Sequence, residues 1–303
     1  MIALLAPGQG SQTPGMLAPW LELPGANDRI AVWSKASGLD LARLGTTATA
    51  EEITDTAVTQ PLVVAAALLA YEELDNRGLA PTDPVVAGHS VGELAAAAIA
   101  GVISSDDAVT LAAIRGAEMA RACALEPTGM SAVLGGDEEA VLARLAELEL
   151  VPANRNAAGQ IVAAGRLDAL AALAENPPEK ARVRALPVAG AFHTHFMAPA
   201  QEAVREAAAK ITPQEPVTTL LSNFDGQPVA SGADALDKLA AQVTRPVRWD
   251  LCTEYMRQTE LAAIVELPPA GTLVGIAKRE MRATPSLALK TPDGLSEFPT
   301  STN

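Results

Sequence analysis

Apolar positions along this chain alternate between short unbroken runs and stripes at helical spacing. The run at 2–6 predicts a buried strand, ended by the turn Pro7-Gly8-Gln9-Gly10-Ser11-Gln12. Pro61 suits the first position of a helix, where its missing N–H costs nothing. The apolar pattern carries that helix to about residue 74, with Gly78 as a stop. A second short strand is predicted at 84–88, followed by a helix over 92–100. Ser104 or Ser105 can cap the next helix, with Asp107 three residues after Ser104, and that helix reaches about residue 122.

The rhythm changes between residues 129 and 186. Strands are predicted at 130–134, 150–154, 160–164 and 181–186, and helices at 137–148 and 167–174. The turn Asn156-Ala157-Ala158-Gly159 joins the middle two strands. The order βαββαβ is that of a ferredoxin-like unit. It predicts a small domain, 129–188, inserted into a larger α/β domain made of 1–128 and 189–290. Helices over 199–209, 234–241, 250–258 and 272–281, with strands over 218–222 and 262–266, complete the larger domain. Residues 291–303 are polar and turn-rich and are expected to form a flexible tail.

Composition agrees with this division, since 303 residues suit about two compact units. With 49% hydrophobic and 19% charged residues, the chain can build a sizeable core and carries too little charge to stay disordered. Aromatics are only 3%, so that core is mainly Ala, Val, Leu and Ile. A net charge of −14 argues against nucleic acid or an anionic membrane as partner, because both would repel it. The longest apolar run, 62–70, is roughly half of what a bilayer requires. Two cysteines, Cys123 and Cys252, are too few for a disulfide scaffold. The start lacks the basic region of a signal peptide, so a cytoplasmic location with free thiols is expected.

Gly88-His89-Ser90-Val91-Gly92 is G-x-S-x-G between a predicted strand and a predicted helix. The glycines allow a sharp turn that lifts the serine hydroxyl clear at a helix N-terminus, with the Val91 N–H facing any oxyanion formed there. The competing reading is a plain glycine-rich turn. A serine nucleophile needs a base, and the chain has three histidines. Strand alternation turns His89 to the other face, which leaves His193 or His195. No Cys or spare third His completes a metal site with them, so no metal is expected. Gln9 ends the first strand, where the carboxyl ends of parallel strands gather around a site, and its backbone N–H could be a second oxyanion donor. Arg115 shares an apolar stripe with Ala108, Leu111, Ala112 and Met119. On pattern alone a structural ion pair, with Glu93 a candidate partner, outweighs an acidic ligand.

PGQGSQ (7–12), TQP (59–61), GHSVGE (88–93), Arg115, NRNAAGQ (154–160), AFHTHFM (191–197) and RPVRW (245–249) occur in this order. Together they resemble the malonyl-CoA:acyl-carrier-protein transacylase family, from Ile2 to about Met281. The resemblance implies an α/β-hydrolase-like large domain with an inserted ferredoxin-like small one. It implies Ser90 as nucleophile and His193 as base, since the family's histidine stands four residues before a methionine, here Met197. It further implies the backbone of Gln9 and Val91 as oxyanion hole, and Arg115 as partner of the malonyl carboxylate. Phe192, Gln60 and Asn156 then belong to the acyl pocket, with Phe192 excluding a methyl branch. The family uses a backbone carbonyl near RPVRW, here that of Arg248, to orient the imidazole. Two departures are Ala6 before Pro7, where the family often has Phe, and Leu267-Pro268-Pro269-Ala270-Gly271 in place of a GPG turn.

The implied reaction is ping-pong transfer of malonyl from malonyl-CoA to the phosphopantetheine thiol of an acyl carrier protein, in fatty-acid or polyketide synthesis. No cofactor and no metal is implied, and a monomer is expected. The alternatives are a serine esterase or thioesterase on the same scaffold, and a non-catalytic acyl-carrier docking module.

Overall fold

The computed structural model describes residues 1–299 of the chain. Strand β1 (Ile2–Ala6) leads into helices α1 (Ala18–Leu21), α2 (Ala26–Ser37) and α3 (Leu41–Thr46), then the long α4 (Thr56–Asn76). After these come β2 (Val85–Gly88), α5 (Gly92–Ile99) and α6 (Ser105–Cys123). A second group follows: β3 (Thr128–Gly135), α7 (Glu138–Glu147), β4 (Val151–Ala157), β5 (Gln160–Arg166), α8 (Leu167–Glu175) and β6 (Ala181–Ala185). The chain then runs through α9 (Ala198–Ala208), β7 (Thr219–Leu221), α10 (Gly232–Gln242) and α11 (Trp249–Gln258). It closes with β8 (Ala263–Glu266), α12 (Thr272–Glu280) and β9 (Ser286–Ala288).

The strands form two sheets. One is parallel, in the order β7-β2-β1-β8-β9. Helices cover it, which is why the whole of Ile2–Ala6 and of Val85–Gly88 is buried and reads as continuous apolar sequence. The other is antiparallel, in the order β4-β5-β3-β6, with α7 and α8 as its helices. Both sheets are stitched to one segment between α10 and α11. Val247 donates to the Ala153 carbonyl and accepts from the Arg155 N–H, each at 2.9 Å, while the Arg248 N–H donates to the Asn223 carbonyl beyond β7 at 2.8 Å.

Helix α4 forms the centre of the main core, and residues 62–70 are buried all round it. It is long and apolar enough to cross a membrane by composition, yet 72% of its apolar window is buried inside the protein. It starts earlier than its sequence suggests, at Thr56, with the Asp55 carboxylate accepting from the Ala57 N–H at 2.8 Å. Pro61 therefore lies inside the helix. Burial of Thr56, Thr59 and Gln60 on the preceding turn outweighs the hydrogen bond that proline removes. Helix α6 begins as its capping pattern predicts, with Ser104 Oγ accepting from the Asp107 N–H at 3.0 Å.

Three expectations need correction. Asn156 and Ala157 belong to β4, so the turn contracts to Ala158-Gly159, with Gly159 at φ +68°. The stretch 13–55 holds three helices that were not predicted, and β9 extends the parallel sheet by an edge strand. The tail expected at 291–303 is not loose over 291–299. Pro292–Glu297 is a 3-10 turn, and its spacing sets Leu295 and Phe298 into the main core, at 4% and 6% exposure. Residues 300–303 lie outside the described residues.

Glu266, at the end of β8, is fully buried, and its carboxylate accepts from the N–H groups of Gly271, Leu273 and Val274 at 2.8–3.0 Å. It thereby satisfies the open N-terminus of α12. Glu266→Ala leaves these buried donors unpaired, which costs about 3 kcal/mol or more. The expected outcome is a clear fall in the denaturant midpoint, and a smaller one for Glu266→Gln, which keeps an acceptor.

Candidate active site

The carboxyl ends of β1 and β2 lie side by side, and the turns that leave them form the floor of a cleft. After β2 the chain reverses into α5 so tightly that Ser90 is held at φ +54°. Glycine is required on both sides of it. A Cβ on Gly88 would stand 2.0 Å from the Gly92 carbonyl carbon, and one on Gly92 would stand 2.3 Å from the Ala6 oxygen. Asn223, just past β7, braces the turn. Its Oδ1 accepts from the Ser90 N–H and its Nδ2 donates to the Gly88 carbonyl, both at 2.8 Å. The strained conformation presents Ser90 Oγ to the cleft at the N-terminus of α5.

Ser90 Oγ lies 2.7 Å from His193 Nε2. His193 is itself held at φ +62° and is 3% exposed. Its Nδ1 hydrogen-bonds the main-chain carbonyl of Gln242 at 2.9 Å. This corrects the expectation that Arg248 supplies that carbonyl. Gln242 is the last residue of α10, where a carbonyl has no partner within the helix and can accept from the imidazole. Arg248 instead pairs its guanidinium with Asp250. Burial, reinforced by the positive charge of Arg115, pushes the His193 imidazole down to about 3, so it is neutral at physiological pH and free to accept a proton.

His195 is exposed, stacked on Phe196 and outside the cleft. His89 does not turn away as strand alternation suggests. It lines the cleft, with Nε2 2.9 Å from Asn156 Oδ1 and its ring against Trp249, and burial lowers its pKa.

Arg115 is 2% exposed. Its Nη1 donates to Gln60 Oε1 at 2.6 Å, and its Nη2 to Gln242 Oε1 at 2.9 Å and to Ser90 Oγ at 3.3 Å. Its Nε is buried without a partner among the described residues. The ion pair with Glu93 is indirect, because the Gln242 amide stands between the charges. Gln242 Nε2 donates to Glu93 and, at 3.0 Å, to the Ser90 carbonyl. Burial lowers the Arg115 pKa and raises that of Glu93, and each charge opposes the other's shift.

The Ser90 N–H is committed to Asn223, but the N–H groups of Gln9 and Val91 make no hydrogen bond among the described residues and lie at the cleft. The Gln9 side chain donates to Thr56 Oγ1 at 3.2 Å. The cleft has a volume of about 400 Å³, and Phe192, Gln60 and Asn156 line it. Its opposite wall comes from the small sheet, through Met130, Ala132 and Val162. No cluster of three or more His, Cys, Asp or Glu that could hold a metal occurs among the described residues. Sequence reasoning missed Gln242 and Asn223. The available signals were position alone: Gln242 directly follows a predicted helix, and Asn223 directly follows a predicted strand.

The acyl transferase domain model matches residues 4–291. The chain is 70% identical to the malonyl CoA-acyl carrier protein transacylase of Mycobacterium tuberculosis, over 98% of this chain and 99% of that protein. It is 34% identical to the Escherichia coli protein of the same name, over 97% of both. The crystal structure of MCAT from Mycobacterium tuberculosis superposes with a TM-score of 0.96, at 70% identity, covering 98% of this chain and 99% of that one. A malonyl-transacylase solved in complex with a type II PKS acyl-carrier protein superposes with a TM-score of 0.90, at 29% identity, covering 98% of both chains. A match to the domain model over nearly the whole chain, joined to these full-length relatives, places the sequence, and the chain belongs to the malonyl CoA-acyl carrier protein transacylase family.

Proposed function

We propose that the protein transfers malonyl from malonyl-CoA to the phosphopantetheine thiol of an acyl carrier protein, through a malonyl ester on Ser90. The observation that carries this reading is one hydroxyl flanked by two different groups. Ser90 Oγ has a neutral imidazole at 2.7 Å and a buried guanidinium at 3.3 Å. The first makes a nucleophile, and the second selects an acyl group that ends in a carboxylate. The names of the relatives support the same substrate and acceptor.

In this mechanism His193 Nε2 takes the Ser90 proton as Oγ attacks the thioester carbon. The Gln242 carbonyl holds Nδ1–H and stabilises the imidazolium. The oxyanion rests on the Gln9 and Val91 N–H groups at the positive end of α5. The CoA thiolate leaves with the proton from His193. The carrier's thiol then repeats the sequence in reverse, giving its proton to His193 and returning Ser90 as a hydroxyl. Arg115 receives the malonyl carboxylate on donors that include its unpartnered Nε–H. Phe192, buried beside His193, narrows the acyl pocket. We read residues 129–188 as the inserted unit that roofs the cleft. We read the protein as acting as a monomer. Both cysteines are free, which supports a reducing, cytoplasmic setting.

Incubation with malonyl-CoA is expected to add one malonyl group to Ser90, read by intact mass and peptide mapping, and CoA release then stalls until carrier is added. Continuous CoA release without carrier would mark a hydrolase instead. Ser90→Ala abolishes the adduct and His193→Ala slows its formation on the order of 10⁴- to 10⁶-fold, whereas His195→Ala leaves it close to wild type. Arg115→Ala lowers malonyl transfer relative to acetyl transfer by about 30-fold to several thousandfold; equal loss for both would mark a structural arginine.

The lowered pKa of His193 sets a pH signature. The native imidazole refuses a proton that the unfolded chain binds below about 6.5, so stability falls with falling pH from there toward about 3. The base stays neutral across the upper part of that window. The rate of Ser90 malonylation is therefore expected to show no acid limb near 6.5, and Arg115→Ala to move its limb to higher pH. A wild-type limb at 6.5 would contradict the assignment.

A further inference from the structure

Arg115 and Glu93 are the charged side chains buried nearest to Ser90, at 2% and 4% exposure. Glu93 sits on the first turn of α5 and is not used by the mechanism above. The groups that touch its carboxylate are donors, namely the Asn223 N–H and Gln242 Nε2, with the Ser222 hydroxyl beside it. Both carboxylate oxygens accept, one from the Asn223 N–H and one from Gln242 Nε2; burial raises the pKa to about 8 against these donors and the Arg115 charge, so Glu93 carries its full charge above that pH.

Gln242 passes this charge on to the active site. Its amide oxygen accepts from Arg115, and its amide nitrogen donates to Glu93 and to the Ser90 carbonyl. Turned end for end, the amide would set its NH₂ against a guanidinium and its oxygen against two acceptors. Glu93 therefore joins Arg115 and the Ser90 carbonyl in fixing which end of Gln242 meets Arg115. A carboxylate arriving at Arg115 meets a cation whose charge is already partly balanced. The occupied site would then hold one positive and two negative charges with little water between them.

We propose that Glu93 is a specificity-determining residue of the malonyl site, acting through Gln242 to weaken the hold of Arg115 on the substrate carboxylate. This inference rests on the function proposed above. Its consequence for turnover is release. An unbalanced guanidinium would keep the malonyl ester in place, whereas a balanced one lets the group move on to the carrier.

The test is competition between malonyl-CoA and acetyl-CoA in equal amounts, above about pH 8 where Glu93 is charged, with the malonyl-to-acetyl ratio on Ser90 read by intact mass at early times. The ratio is internal to each sample, so it does not depend on the fraction of protein that is folded. Glu93→Gln keeps the size and an acceptor oxygen but removes the charge. It is expected to raise the ratio on the order of tenfold, the worth of one unit charge acting over roughly 10 Å in a partly buried setting. Glu93→Asp keeps the charge and is expected to hold the wild-type ratio even where its overall rate falls. Transfer to the holo carrier should be slower from malonylated Glu93→Gln than from the wild type, and unchanged from the acetylated form. A ratio that is unchanged or lower in Glu93→Gln, or that shifts tenfold in Glu93→Asp, overturns the proposal and leaves Glu93 a structural brace. A wild-type protein that takes no malonyl at all overturns the functional reading instead.

Discussion

A guanidinium cut off from water must find oxygen for its donors, and this protein sets one beside the Ser90 hydroxyl. Arg115 draws three elements toward α6 for that purpose. Gln60 comes from α4, Gln242 from the end of α10, and Ser90 from the turn before α5. Among the described residues no acid meets the cation directly, so its charge is shared through amides instead of being cancelled. Donor capacity is left over at Nε for a ligand. The end of α10 serves both halves of the site, since the side chain of Gln242 holds Arg115 and its main-chain carbonyl holds His193. In the function proposed above, substrate selection and proton transfer are thus tied to one residue, and the positive charge proposed to meet a carboxylate adds to burial in lowering the His193 pKa.

Most of the scaffold was legible in the sequence because its signals are local. The small sheet is built from antiparallel neighbours, so its βαββαβ order could be read directly along the chain. Ser104 announces its helix as a cap, its hydroxyl accepting from the N–H three residues on. The strained turn at Ser90 was visible because only glycine suits its flanks. Some elements were not legible. Helix α1 has four residues and β9 has three, too few for a period to show, while α2 is twelve residues long but buries only Ala26, Ile30 and Trp33. Pro61 misled because its burial in the core overrides its local preference. Leu295 and Phe298 were hidden in polar surroundings, although their spacing places both on one side of a 3-10 turn.

At the site, reactive side chains could be read and supporting ones could not. Serine, histidine and arginine each carry a chemical argument in their own pattern. A main-chain carbonyl carries none, and the one that orients His193 belongs to a residue 49 positions away. Asn223 and Gln242 are ordinary polar residues until the fold sets them 133 and 152 positions from Ser90. Arg248 was a reasonable choice for the carbonyl because its segment does reach the site, but its role is to anchor sheets and loops.

The parts of the cleft divide along the chain in a way that bears on how such an enzyme can be altered. Ser90, Arg115, His193 and Gln242 all lie outside Thr128–Ala185, the segment that carries the small sheet. That segment supplies Met130, Ala132 and Val162 as one wall of the cavity, and contacts the other half through the Val247 stitch and the Asn156–His89 bond. That segment therefore shapes one wall, while Phe192, Gln60 and the Ser90–His193 pair come from outside it. A graft of the four-stranded unit from a relative, cut in the exposed turns at Glu126 and Pro187, would exchange the wall while leaving the proton-transfer pair in its native setting. Lineages could diversify the acyl groups they accept by the same route, through drift in a segment that holds none of Ser90, Arg115, His193 and Gln242.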